Sequence, residues 1–123
     1  MLVFIASFFV ILPYFIKTLQ LKPLAKIDLP KEGNWVKLTK GNIYCQWHRP
    51  AIPTNGEIII LVHGFSTPSF VWKGILEDFL SSGYTVLTYD HFGRGFSERP
   101  HVDYTKDFYI NTLNELLNHE NIN

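Results

Sequence analysis

Two short runs constrain the fold of this chain more than any other feature. Glu57-Ile58-Ile59-Ile60-Leu61-Val62 is apolar, rich in β-branched residues and too short for a helix; Tyr84-Thr85-Val86-Leu87-Thr88-Tyr89 is a second strand-like run. Such segments suit strands buried on both faces, as in a parallel sheet. Between them, Pro68 to Ser82 places Phe70, Val71, Ile75, Leu76, Phe79 and Leu80 at helical spacing. Gly83 stands where a helix C-terminus favours glycine. Strand, helix, strand predicts a βαβ unit with a right-handed crossover.

Upstream, Trp35-Val36-Lys37-Leu38 and Ile43-Tyr44-Cys45-Gln46-Trp47 flank Thr39-Lys40-Gly41-Asn42. Alternating aromatic and β-branched residues around a Gly-Asn turn predict a β-hairpin. Pro50 to Gly56 is a turn-rich connection. Downstream, Asp103 to Glu120 places Phe108, Leu113, Leu116 and Leu117 on one side of a helix. The expected architecture is α/β, a hairpin followed by βαβα, over residues 34–123. Residues 22–33, with Pro23 and Pro30, read as a linker.

The N-terminus is of a different character. Met1 to Ile16 holds no charged side chain, and as a helix it would be about 24 Å long at about 1.5 Å per residue. A bilayer core about 30 Å thick takes about 20 residues. Extension to Leu21, with Lys17 reaching toward the headgroups, closes the gap. Residues 1–21 are therefore expected to form a single-pass membrane anchor preceding the α/β domain. A signal peptide is the competing reading, but no basic n-region precedes the run and no Ala-x-Ala cleavage site follows it, so a signal here would stay uncleaved. From Lys17 to Arg49 there are seven basic residues and two acids, whereas Pro50 to Asn123 carries four and nine. The basic flank favours a cytoplasmic domain against anionic lipid; a solvated basic surface is the other reading, and secretion follows if the run is cleaved.

Eleven basic side chains balance eleven acidic ones, so no global charge selects nucleic acid. One cysteine, Cys45, excludes an internal disulfide framework and reads as a small core filler. The five histidines lack metal-ligand spacing. Gly93-x-Gly95-x-x-Glu98 breaks a dinucleotide fingerprint at its third glycine, and no phosphate-loop Gly-Lys-Ser/Thr occurs. No metal, cofactor or nucleic-acid partner is expected.

Two loops carry the chemistry. His63-Gly64-Phe65 leaves the first strand, with a glycine where a backbone can approach a ligand. A free N–H on such a turn can stabilise a developing oxyanion, although a satisfied core histidine in a plain turn fits these three residues as well. After Asp90 comes His91-Phe92-Gly93-Arg94-Gly95-Phe96-Ser97-Glu98-Arg99-Pro100, where glycines permit a tight turn and Ser97 can hydrogen-bond locally. A hydrophobic strand, His-Gly-x, a helix, a second strand and Asp-x-x-Gly-x-Gly-x-Ser, in that order, resemble the α/β-hydrolase fold superfamily of lipases, esterases and epoxide hydrolases. The likeness runs from about Trp35 to the end of the chain.

The resemblance implies that Phe65, after His-Gly, gives one backbone N–H to an oxyanion hole. It gives His63, Gly64, Asp90, Gly93, Gly95 and Ser97 roles in shaping the two loops. Phe65, Trp72 and Phe92 are candidates to line an apolar pocket, and the activity implied is hydrolysis of an ester or lipid. The pattern departs from the family's at the Gly-x-Ser-x-Gly nucleophile elbow, which this sequence lacks. Gly95-Phe96-Ser97 has no second glycine and lies in another loop. His91, His101 and His119 precede the place of the family's nucleophile, so none matches its late histidine. The chain is expected to be an N-terminal fragment, inactive alone, of a membrane-anchored hydrolase. A non-catalytic membrane-tethered module is the alternative. An apolar strand edge at Ile58–Val62 is expected to lie open and to favour self-association.

Overall fold

The computed structural model describes residues 30–122 together with Leu12, Pro13 and Ile16. The expected anchor over 1–21 and most of the linker over 22–33 lie outside the described residues. No helix among the described residues is long and apolar enough to cross a membrane.

Among the described residues, four strands form one mixed sheet. β1 (Asn34–Leu38) and β2 (Gly41–His48) make the hairpin, with Val36 opposite Ile43 and Leu38 opposite Gly41. β3 (Ile58–Leu61) runs parallel to β4 (Thr85–Tyr89), with Ile58 opposite Thr85 and Leu61 opposite Thr88. β2 runs antiparallel to β4, with Cys45 opposite Tyr89, giving the order β1-β2-β4-β3. The βαβ reading holds, and hairpin and βαβ unit meet at β2 and β4.

Alternation along the strands sorts the side chains onto two faces. Val36, Leu38, Ile43, Cys45, Leu87 and Tyr89 share one face, which packs with Phe92 and Leu116 into the core. The cover is α2 (Lys106–His119), whose Leu116 is wholly buried. α2 begins three residues later than the apolar spacing predicts, because Thr105 stays extended and its hydroxyl accepts the Phe108 N–H at 3.1 Å, an N-cap. Asp107 in the first turn and His119 in the last complement the helix dipole. Thr39 fastens the hairpin to α2 by donating its N–H and its hydroxyl to Glu115 Oε1, at 2.5 and 2.6 Å.

The opposite face is thinly covered. A 3-10 turn (Ser69–Trp72) leads into α1 (Lys73–Ser81), and neither contains a buried residue. The helical spacing over 68–82 is real, but Phe70, Val71 and Ile75 remain exposed. The sheet presents Gln46, His48 and Thr88 beneath this segment, leaving a cavity of about 470 Å³ rather than an apolar contact. β3 also departs from expectation. It is not buried on both faces, since Ile58 is 45% exposed and only Leu61 is fully covered. The reason is its place in the sheet, for β3 has β4 on one side and no strand on the other among the described residues.

Leu116→Ala would open a cavity where α2 meets the sheet. It is expected to cost about 2–5 kcal/mol of stability, read as a lower midpoint in urea denaturation at unchanged slope.

Candidate functional site

Parallel strands deliver their following loops to one end of the sheet, where ligands of open α/β sheets commonly bind. Here the loop after β3 and the loop after β4 meet there. Asp90 builds the second. It is 1% exposed, and its carboxylate accepts the Ser69 N–H at 2.7 Å and the Phe96 N–H at 2.9 Å. Its carbonyl accepts the Ser97 hydroxyl at 2.6 Å, while Ser97 Oγ accepts the Tyr44 N–H at 2.8 Å. The Ser97 bonds are thus partly long-range, and its oxygen, wholly buried, serves β2 and β4 at once. Gly95 has φ +48°, and a Cβ built on it would fall inside the Asp90 carboxylate, so only glycine fits. Gly93, at φ +80°, donates its N–H to the Glu98 carbonyl at 2.9 Å and closes the turn.

Three side chains tie the first loop. His63 is 3% exposed and is fully engaged: Nδ1 lies 2.7 Å from the Gly64 carbonyl, and Nε2 accepts the His91 N–H at 2.9 Å. This pairing assigns the proton to Nδ1. The His91 ring returns the contact, with Nε2 3.1 Å from the His63 carbonyl. Arg94 donates from Nε to the Phe65 carbonyl at 2.6 Å and from Nη1 to the Gly93 carbonyl at 2.9 Å, and its guanidinium lies 4.4 Å from the centre of the Phe65 ring. Phe65 is itself 80% exposed. Its N–H makes no hydrogen bond among the described residues. A Cβ on Gly64 would meet nothing within 4 Å, so neighbouring atoms do not demand glycine there.

Between these loops and α2 lies a crevice of about 400 Å³, walled by Val62, Phe65, Tyr89, His91, Tyr109 and Leu113 among others, with Lys106 also contributing. Two buried polar atoms there lack a partner among the described residues, the Tyr89 hydroxyl and His91 Nδ1. Burial raises the Tyr89 pKa. Of the three aromatics proposed for an apolar pocket, only Phe65 lines this crevice. Phe92 is 1% exposed and packs in the core beside Phe108, and Trp72 lines the cavity on the other face. Cys45 is a buried core residue, its thiol pushed up to about 11 by burial and further by Glu120. Among the described residues no group of three His, Cys, Asp or Glu side chains could hold a metal.

Sequence reasoning passed over Arg94, His91 and Tyr89 as members of this site. The only local signal was position: Arg94 between two loop glycines, Tyr89 and His91 beside Asp90 at the strand end. Their contacts depend on backbone direction inside the two loops, and side-chain spacing does not encode that.

His91 lies against His63, Tyr89 and Tyr109, with ring centres 4.5, 5.0 and 4.8 Å away. Its pKa falls below the ordinary histidine value, chiefly through burial, then electrostatic coupling to the adjacent His63 ring and, more weakly, Arg94, against the opposing backbone contact with His63 and the Asp90 charge. A lowered histidine pKa means the unfolded chain takes up a proton that the native state refuses. Stability is therefore complete above about pH 6.5 and declines as pH falls through that value. The melting temperature should drop between about pH 7.5 and pH 5.5. His91→Gln should flatten part of that decline, and His48, whose pKa burial lowers against the opposing Glu32 charge, contributes in the same direction.

The fold agrees with that of known proteins. A family model described as the alpha/beta hydrolase fold matches residues 57–122. Cis-3-alkyl-4-alkyloxetan-2-one decarboxylase of Xanthomonas campestris pv. campestris is 30% identical over 75 residues, covering 54% of this chain and 25% of that protein. The probable lysophospholipase L2 of Haemophilus influenzae is 32% identical over 66 residues, 50% of this chain and 21% of its own length. The solved structure of a probable hydrolytic enzyme from Pseudomonas aeruginosa PAO1 superposes with a TM-score of 0.69 at 21% identity, over 78% of this chain and 32% of that one. The matches thus span a third or less of each of these proteins. With 66 of its 123 residues matched by the family model and the β3–β4 core in place, the chain belongs to the α/β-hydrolase fold family.

Proposed function

We propose that this chain supplies the Phe65 half of an oxyanion hole to a serine-type hydrolase acting on apolar esters or lipids, with nucleophile, acid and base contributed by residues outside this sequence. The observation that carries the reading is the unbonded Phe65 N–H on a loop held at the C-terminal ends of two parallel strands. When a nucleophile adds to an ester carbonyl, the oxygen gains a full negative charge. A fixed N–H beside it stabilises that charge without reorganisation, worth about 2.7–4 kcal/mol per donor. Val62, Ile110 and Leu113 give the crevice apolar walls suited to an acyl chain. The likeness to a probable lysophospholipase supports an ester substrate. The likeness to a decarboxylase leaves the substrate open to experiment. In the same proposal the apolar residues 1–21 hold the protein to a membrane with the domain on the cytoplasmic side, which carbonate extraction of the membrane fraction would test.

The longest product translated through this sequence should hydrolyse p-nitrophenyl esters, whereas the 123-residue chain alone should not exceed background. Phe65→Pro deletes the N–H and is expected to lower kcat/KM about 10²–10³-fold. Phe65→Ala keeps that N–H and should lose much less. Equal activity of the two variants would remove Phe65 from the mechanism.

A second reading has one observation in its favour. The outer edge of β3 has no strand partner among the described residues, and Ile58 and Val62 are 45% and 41% exposed. A non-catalytic module would use this edge to pair with another chain. A native product ending at Asn123, dimeric in sedimentation velocity and made monomeric by Ile58→Lys, would establish it over the enzymatic reading.

A further inference from the structure

The Phe65 N–H is useful to an oxyanion only if it is held still, and the loop carrying it has little packing of its own. The Phe65 side chain is 80% exposed, and Gly64 has open space where a Cβ would stand. What holds this stretch is polar and comes from two directions. The Gly64 carbonyl belongs to the same peptide unit as the Phe65 N–H. It is engaged by His63 Nδ1 at 2.7 Å, and no peptide here is cis, so the N–H points away from the imidazole. The Phe65 carbonyl, on the next peptide unit, is engaged by Arg94 Nε at 2.6 Å, its only tertiary hydrogen bond among the described residues.

We infer that Arg94 is a positioning residue for the Phe65 amide: with His63 it clamps the carbonyls on both sides of that N–H, and its guanidinium seats the exposed Phe65 ring. The inference rests on the reading of Phe65 as an oxyanion donor. Arg94 suits the task better than a flexible cation would. Its planar group spends Nη1 on the Gly93 carbonyl at 2.9 Å, which fixes it to the loop after β4, while Nε faces the loop after β3. The face of the same group meets the Phe65 ring at 4.4 Å. One side chain therefore registers the two loops, and through them the amide is referenced to the rigid Asp90 turn. Lysine has a single point charge and cannot make both directed bonds and the stacked contact.

Two measurements test this. In the 15N-labelled chain, Arg94→Ala should lower the order parameter of the Phe65 amide from the rigid range near about 0.85 toward about 0.6, leaving Leu87 in the sheet unchanged. In the longest product, Arg94→Ala should reduce kcat about 10–100-fold with KM nearly unchanged, and weaken a boronate inhibitor by a similar factor. Arg94→Lys should recover only part of the loss. In the Phe65→Pro background Arg94→Ala should cost nothing further, because no N–H remains to position. If Phe65→Pro lowers kcat while Arg94→Ala leaves both kcat and the Phe65 order parameter unchanged, the inference is wrong and the functional reading survives. If Phe65→Pro has no effect, the functional reading fails and the role of Arg94 falls with it. A loss in Arg94→Ala that is confined to KM, or that persists undiminished in the Phe65→Pro background, also overturns the positioning role.

Discussion

A buried carboxylate organises one end of this molecule. Asp90 is excluded from water at the end of β4 and answers that desolvation with two backbone N–H groups, one from the 3-10 turn before α1 and one from its own loop. Hydrogen bonds to a charged acceptor contribute about 1.5–3 kcal/mol each, and a buried charge left unpaired costs several. The carboxylate is thus stable only where these donors are present, and the donors are present only if β3, the crossover and the loop after β4 are all in place. Ser97 extends the arrangement into the hairpin through Tyr44. A single group therefore joins the βαβ unit to β2.

Much of the fold was legible because it depends on local pattern. The apolar runs at Ile58–Leu61 and Thr85–Tyr89 are strands, paired in parallel, and the hairpin forms, although it turns at Thr39-Lys40 and takes the expected turn residues Gly41 and Asn42 into β2. Degree of burial was legible less well. The apolar Ile58, Ile59 and Ile60 predict cover on both faces of β3, yet burial depends on what packs against a strand, and among the described residues β3 has a single neighbour. Phe70, Val71 and Ile75 show the same limit from the side of a helix, since apolar spacing identifies a face but not the presence of something to receive it.

The candidate site divides along similar lines. His-Gly-Phe and Asp-x-x-Gly-x-Gly-x-Ser drew attention to both loops, and Gly95 shows the kind of demand a motif can express, since the space its side chain would take belongs to a carboxylate. The contacts between the loops were not legible. His91 is followed by Phe92, which enters the core, and two residues on in the same turn Arg94 reaches outward across to Phe65. Which residue does which depends on backbone direction inside a turn, where no helical or strand period applies. The family relationship fixes the fold rather than the reaction, since a decarboxylase and a probable lysophospholipase are both similar to parts of this chain.

The pairing of β2 with β4 bears on how the chain reaches this state. The hairpin can form from contacts between near neighbours, but joining it to the rest places Cys45 opposite Tyr89, across the whole crossover segment. Closing so long a loop is an entropic barrier that grows only slowly with length and must be crossed before the contacts that reward it exist. Assembly should then proceed in two stages, an early hairpin and a later docking of β4, with the second step setting the rate.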